Sequence, residues 1–335
     1  MSTNTRIFLR IIAWLALALL IFPAGCKRKG GPIKEVRIGY FANVTHAQAV
    51  LGVASGEFEQ AVAPLKVKTK IYNAGPTLIQ DLIAGNIDIG YVGPGPAISA
   101  GPDQLRVIAG AAANGVLIVA ANGSPISSVD DLPKYTLATP QLGNTQDISA
   151  RHFYKAVLNA GAAGIKKIKP TENARQLAQI GRGIDAAWVP EPWGSRLIHE
   201  AGAKLIKKEH EIKELWPEGK FSLTLVVTTP KFLAEHPDVV ESILGVHRSW
   251  TVRLQKEPQK YVQQLSDGLF ALVNARLKDE VLTDSLINVE FTDEPLESTL
   301  KRMAAWFDEL QGTGPPTKLD DLVDLTLLRK IRSAR

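Results

Sequence analysis

The chain has 335 residues, 45% of them hydrophobic and 22% charged, with a formal net charge of +5. This is the composition of a folded globular body long enough for two packed lobes, not of a low-complexity chain, and no Lys/Arg run interleaved with aromatics points to nucleic acid. A single cysteine, Cys26, excludes an internal disulfide and any cysteine-rich zinc or iron–sulfur site, and no metal or cofactor motif stands out.

The first residues bear on compartment. Arg6 and Arg10 precede an apolar run from Ile11 to Phe22, and Pro23-Ala24-Gly25-Cys26 follows. The run is short for a bilayer span, which takes about 20 residues, and reads as a signal peptide over residues 1–25. Cys26 sits where a bacterial lipobox places its lipidated cysteine, with Pro23 at the position of the usual leucine. Ordinary secretion with an incidental cysteine is the alternative. Lys27 to Gly31 then forms a basic tether. The chain from Cys26 onward has 310 residues (335 − 25) and a net charge of +3 (5 − 2).

Val36 to Tyr40 reads as a first strand, followed by a helix over about 45–60. A strand over 66–72, a helix over 77–84 ended by Gly85-Asn86, and a strand over 87–92 complete a β-α-β-α-β run. That order predicts a mostly parallel sheet with helices on its faces. Extended runs at 106–109 and 116–121 lead to Asn122-Gly123-Ser124-Pro125, where the chain is expected to cross to a second lobe. There, strands at 135–139, 167–169 and 184–189 alternate with helices at 145–160 and 174–180. A strand over 222–229 returns to the first lobe. Helices follow at 231–236, 239–255, 259–274, 296–310 and 319–331, with Met303, Phe307 and Leu310 at core spacing. The expected division is tether 26–35, first lobe 36–121, second lobe 122–221, and first-lobe return 222–335.

The two halves share a weak repeat. Ile87-Asp88-Ile89-Gly90-Tyr91-Val92 runs into Gly93-Pro94-Gly95-Pro96, and Ile184-Asp185-Ala186-Ala187-Trp188-Val189 runs into Pro190-Glu191-Pro192-Trp193. Both aspartates are expected to stabilise the helix-to-strand turn.

In open α/β sheets, ligands bind beyond the carboxyl ends of the strands. Loops 41–46, 73–77, 93–96 and 140–147 qualify, and each leads into a helix N-terminus, which attracts anions through its free N–H groups. Candidate contacts are Asn43, Thr45, His46, Gly75, Gly93, Pro94, Gly95, Gln141, Asn144, Thr145 and Gln146. Thr45 with Gln48 fits a capping box, and Gly93, Gly95 and Gly143 let backbone approach a ligand closely. No Arg or Lys lies in these loops, so an anion would be held by uncharged donors. His46 either caps its helix or donates to the ligand. Glu191, between Trp188 and Trp193, either binds an amino group or caps its own helix.

These segments together resemble the nitrate/sulfonate/taurine family of ABC-transporter solute-binding proteins. The residues that carry the likeness are 39–47, 85–94, 139–147 and Trp188-Val189-Pro190-Glu191-Pro192-Trp193. The resemblance implies an α/β, two-lobed periplasmic-binding fold (type II), with mixed sheets flanked by helices and a ligand cleft between the lobes. It implies a monomer without cofactor, held at the membrane by its lipid and delivering a small anion or zwitterion to a permease powered by an ATPase. The loops at Gly93-Pro94 and Asn144-Thr145 and the corner Trp188–Glu191 would face the pocket. The pattern is nearest to that of aliphatic sulfonate binders.

Three other readings exist. A thiamine-precursor binder could stack its ring on Trp188 and Trp193. A sensor module would need a separate receptor. The pyrimidine synthase that shares the fold uses a cysteine-rich iron motif, which this chain lacks, and no Ser-His-Asp or Cys-His arrangement suggests an enzyme.

Overall fold

The computed structural model describes residues 33–312 and 316–334. Residues 1–25, which read in sequence as a signal peptide, and Cys26 lie outside them, as do most of the residues expected to form the tether. Among the described residues no helix is long and apolar enough to cross a membrane.

The first sheet-forming run is β1 (Glu35–Phe41), α1 (Ala47–Ala54), α2 (Glu57–Val62), β2 (Lys66–Tyr72), α3 (Gly75–Ile83), β3 (Ile89–Val92), α4 (Pro94–Ala100) and β4 (Arg106–Asn114). The second is β5 (Val116–Ala120), β6 (Leu137–Thr139), α5 (Thr145–His152), α6 (Gly161–Ile165), β7 (Ile168–Pro170), α7 (Asn173–Gln179), β8 (Ala186–Pro190), α8 (Trp193–Ala201) and β9 (Lys204–Lys208). The chain then returns through β10 (Ser222–Thr228), α9 (Pro230–Glu235), α10 (Pro237–Lys256), α11 (Val262–Val273), α12 (Asp279–Asn288), β11 (Val289–Phe291), α13 (Glu297–Gln311) and α14 (Thr326–Ser333).

The first sheet has the order β11-β4-β10-β3-β1-β2 and the second β7-β6-β8-β5-β9. β1 pairs in parallel with β2 and β3, and β6 pairs in parallel with β7 and β8. Beyond each parallel trio lies one antiparallel strand, β10 in the first sheet and β5 in the second. Both sheets are therefore mixed, and five strands of each follow one plan. The weak sequence repeat has a physical counterpart. Asp88 N donates to Arg37 O at 2.8 Å, while Arg37 N donates back to the Asp88 carboxylate at 2.7 Å. Asp185 N donates to Thr136 O at 3.0 Å, and Thr136 N returns a bond to the Asp185 carboxylate at 2.8 Å. Each aspartate thus pins the start of one parallel strand to its neighbour, where the sequence suggests only a brace for the helix-to-strand turn.

The first crossing differs from expectation. β5 already pairs with β8 and β9, so the chain leaves the first sheet at Asn114-Gly115, not at Asn122–Pro125. Asn114 and Gly115 both have positive φ, 58° and 71°, which turns the chain sharply between two apolar strands. Asn122-Gly123 is a tight turn within the second unit, closed by Ser124 N donating to Ala121 O at 3.0 Å. The return strand lies beside this crossing: Asn114 N donates to Phe221 O at 3.0 Å and Phe221 N to Asn114 Oδ1 at 3.2 Å.

Two predicted helices are interrupted. The one over 45–60 breaks at Gly56, which takes φ 73°, and the one over 145–160 passes into a π-helical segment at Phe153–Val157. The last predicted helix, 319–331, forms only from Thr326, because Val323 bridges to Val107 of β4 instead. β9, α12 and β11 have no counterpart in the predicted elements.

Candidate functional site

Loop 41–46 is organised by Asn43. Its extended backbone makes it the N-cap of the turn before α1, and its Oδ1 accepts from Thr45 N at 2.9 Å and from Thr45 Oγ1 at 3.0 Å. The expected capping box at Thr45 does not form. Gln48 Nε2 instead donates to Ala111 O at 2.6 Å and Thr251 Oγ1 at 3.2 Å, tying α1 to the sheet. His46 stacks on Phe41, with ring centroids 4.6 Å apart. Its Nδ1 accepts from Phe41 N at 3.3 Å, so the proton of the neutral ring resides on Nε2. Burial lowers the His46 pKa to about 3, leaving an uncharged donor at neutral pH.

Loop 140–147 is organised by two acidic and amide side chains. Asn144 caps α5, its Oδ1 accepting from Thr145 N at 2.6 Å. Buried Asp147 accepts from Thr139 Oγ1 at 3.0 Å, Gly143 N at 3.1 Å and Arg151 Nε at 2.9 Å. The next N–H groups of α5, those of Gln146 and Asp147, have no carbonyl four residues back within the helix.

The two units touch at this loop. Gly95 N donates to Thr145 Oγ1 at 3.2 Å. A Cβ on Gly93 would lie 2.6 Å from Thr145 Oγ1, and one on Gly95 would lie 2.9 Å from Thr145 N. The glycines of loop 93–96 therefore serve the approach of one lobe to the other. Gly75 has a similar packing role, since a Cβ there would sit 2.5 Å from Pro96 Cγ.

A cavity of about 360 Å³ opens beside this contact. Asn43, Thr45, His46 and Gly93 line it from the first unit, and Asn144, Thr145, Gln146 and Trp193 from the second. Gly75, Pro94, Gly95, Gln141, Trp188 and Glu191 are not among its lining residues.

The corner 188–193 departs from expectation for a clear reason. β8 is buried on both faces, so Trp188 lies in the core, where its Nε1 donates to Glu209 Oε2 at 2.6 Å. Trp216 Nε1 donates to the other oxygen at 3.1 Å, and burial pushes the Glu209 pKa up to about 7. Glu191 is fully buried. Its carboxylate accepts from Ser195 N at 2.9 Å, Ser195 Oγ at 2.8 Å, Asn288 Nδ2 at 2.6 Å and Ser285 Oγ at 3.3 Å. It caps α8 and ties it to α12, leaving no room to bind a ligand amino group; burial raises its pKa.

Loop-by-loop reading of the sequence misses several lining residues. Arg196 and Arg276 line the cavity, as do Leu223, Thr224 and the stretch from Leu269 to Leu277 in part. Arg196 was legible as one helical turn beyond Trp193; Arg276 follows the end of α11 and carried no local signal. Among the described residues no group of three or more His, Cys, Asp or Glu is placed to hold a metal ion.

Comparison with known proteins identifies the fold and the family. A binding protein of Brucella abortus (strain 2308) is 25% identical over 242 residues, spanning 69% of this chain and 70% of that one. The alkanesulfonate-binding protein SsuA from Xanthomonas axonopodis pv. citri, solved bound to MOPS, superposes with a TM-score of 0.69 at 19% identity, over 88% of this chain and 99% of that one. The periplasmic nitrate-binding protein NrtA from Synechocystis PCC 6803 superposes with a TM-score of 0.74 at 13% identity, over 90% and 89%. The fold is thus that of the periplasmic binding proteins, and the relatives and neighbours are binding proteins. Residues 29–268, more than half of the chain, match the NMT1-like family, and the chain belongs to that family.

Proposed function

We propose that this protein is the extracytoplasmic solute-binding component of an ABC importer, and that its cargo is a small organic anion of the sulfonate type. One observation carries the reading. Uncharged donors line one cavity from both units: Asn43 and His46 from one side, beside Thr45 whose hydroxyl is given to Asn43, and Asn144, Thr145 and Gln146 from the other. Hydrogen bonds to an ionised group contribute roughly 1.5–3 kcal/mol each, so a few such donors hold an oxyanion without a buried cation. Closure of the lobes would swing about the paired crossings at Asn114-Gly115 and Phe221-Ser222. Acylation of Cys26 would keep the protein at the membrane, beside a permease that receives the solute.

Calorimetry with propane-1-sulfonate, taurine and nitrate tests the reading. Asn144→Ala should weaken binding of the preferred anion about tenfold or more, one decade being about 1.4 kcal/mol. Binding of a neutral or cationic heteroaromatic alone, unaffected by this change, would replace the anion by the thiamine-precursor class. That alternative loses one of its two indole platforms, because Trp188 is in the core.

A further inference from the structure

Two arginines reach the cavity from opposite units, and both are held the same way. Arg196 on α8 places its guanidinium 4.6 Å from the Trp193 ring centroid and donates from Nε and Nη2 to Glu200, both at 2.9 Å. Arg276, beyond α11, lies 4.6 Å from the Phe270 ring centroid and donates from Nη1 to Asp267 at 2.9 Å. An aromatic face and a carboxylate stiffen each guanidinium, which reduces the freedom lost on binding. Both arginines line the cavity, whereas Glu200 and Asp267 do not. A guanidinium has five N–H donors, so each keeps donors beyond its carboxylate partner. The remaining charged lining residue is Glu172, whose side chain is 63% exposed and 3.9 Å from Arg175.

The lining therefore combines two kinds of donor. Asn43, His46 and Thr145 are neutral and Arg196 and Arg276 charged, while Leu269, Val273 and Leu277 add an apolar wall from the same stretch of chain as Arg276. A volume of about 360 Å³ suits a ligand with a body, within the range of about 300–1,000 Å³ for small-molecule pockets. The stretch 269–277 lies beyond the residues that match the family, so this wall is a feature of the chain outside the matched region.

We infer that the solute carries a second anionic group, which Arg196 and Arg276 read. The preferred ligand is a short aliphatic α,ω-dianion, such as a sulfocarboxylate. One headgroup meets the uncharged donors, the chain lies along Leu269, Val273 and Leu277, and the other headgroup meets the two guanidiniums. A zwitterion is disfavoured, because its ammonium group would face two cations and Glu191 is spent as a cap. This inference rests on the anion-binding function proposed above.

Calorimetry on the full mature chain at low salt, with 3-sulfopropionate, propane-1-sulfonate and taurine, separates the two. 3-Sulfopropionate should bind at least tenfold more tightly than propane-1-sulfonate, and the advantage should shrink with added salt. In Arg276→Gln and in Arg196→Gln the ratio of the two affinities should fall at least fivefold. Arg276→Glu should turn the preference toward taurine, and unchanged melting midpoints would show that the variants remain folded. Equal affinity for the two sulfonates, or an advantage that survives in both glutamine variants, overturns the second anion site and leaves the anion-binding function standing. Failure of every anion to bind overturns both.

Discussion

The corners after β3 and after β8 begin alike and end differently. Each opens with an Ile-Asp pair whose carboxylate accepts a backbone N–H from the neighbouring parallel strand. Past the strand, the first corner is Gly93-Pro94-Gly95, bare enough for the N-terminus of α5 to come within hydrogen-bonding distance. The second is Pro190-Glu191-Pro192, whose buried carboxylate fastens α8 to α12. The repeated framework carries stability in both units, while the turn that follows is free to specialise. Both turns join the two units, one by a close backbone approach and the other by a buried carboxylate that anchors a C-terminal helix.

The largest effect should come from the anchor. Glu191→Ala removes the partner of Ser195 N–H and Asn288, which are left without an acceptor in a buried place, and should cost about 3 kcal/mol in urea unfolding. Glu191→Gln retains an acceptor oxygen and should cost less. Equal, small losses for both would mean that the corner is not an anchor.

The bare corner should affect binding more than stability. Gly95→Val sets a Cβ 2.9 Å from Thr145 N, against backbone that cannot step aside, and such overpacking costs about 1–3 kcal/mol. The free lobes can part to relieve the clash whereas the closed, ligand-bound form cannot, so the expected outcome is a roughly tenfold or greater loss of affinity for propane-1-sulfonate, with little change in the melting midpoint of the free protein. A fall in the midpoint with affinity intact would make the contact structural only.

The shared framework allows a finer comparison. Asp88 also receives Arg37 Nε at 3.0 Å and Nη2 at 2.6 Å, bonds that Asp185 lacks. Asp88→Ala should therefore cost about 2 kcal/mol and Asp185→Ala about 1 kcal/mol, read by chemical denaturation. Equal losses would show that the backbone bonds, common to both, dominate.

The same contrast explains what the sequence disclosed. Most strands along the chain, though not β9 and β11, were legible because apolar runs bounded by Gly and Asn specify strands locally, and the two Ile-Asp pairs marked where two of them start. The crossing was misplaced because Asn114-Gly115 and Asn122-Gly123 are the same turn signal, and only pairing decides which one changes sheets. Trp188 and Trp193 could not be told apart, since a strand buried on both faces shows no alternation. Arg196 and Arg276 escaped because a loop search sees strand ends, whereas these side chains reach the cavity through the packing of α8 and the chain reversal after α11.

Buried groups in the two units should also respond to pH in opposite directions, His46 and His247 in one sense and Glu209 in the other. In the first, His46 and His247 are buried and neutral, with pKa values lowered to about 3 and about 4 by desolvation. The unfolded chain binds protons at these positions below about pH 6.5, so their contribution is complete above that pH and lost as pH falls. In the second, Glu209 is held protonated up to about 7, against an unfolded value near 4.5. Its contribution is complete below the unfolded value and is lost as pH rises toward 7. Between about pH 5 and 6.5 each fully titrating group changes the slope of stability by at most about 1.4 kcal/mol per pH unit. Relative to the wild type, His46→Gln should flatten the rise of stability with pH in that window, and Glu209→Gln should steepen it. Denaturation at half-unit pH steps measures both slopes. Two curves parallel to the wild type would mean that neither side chain is held in the protonation state its burial demands, and the contrast between the units would then be confined to the two corners.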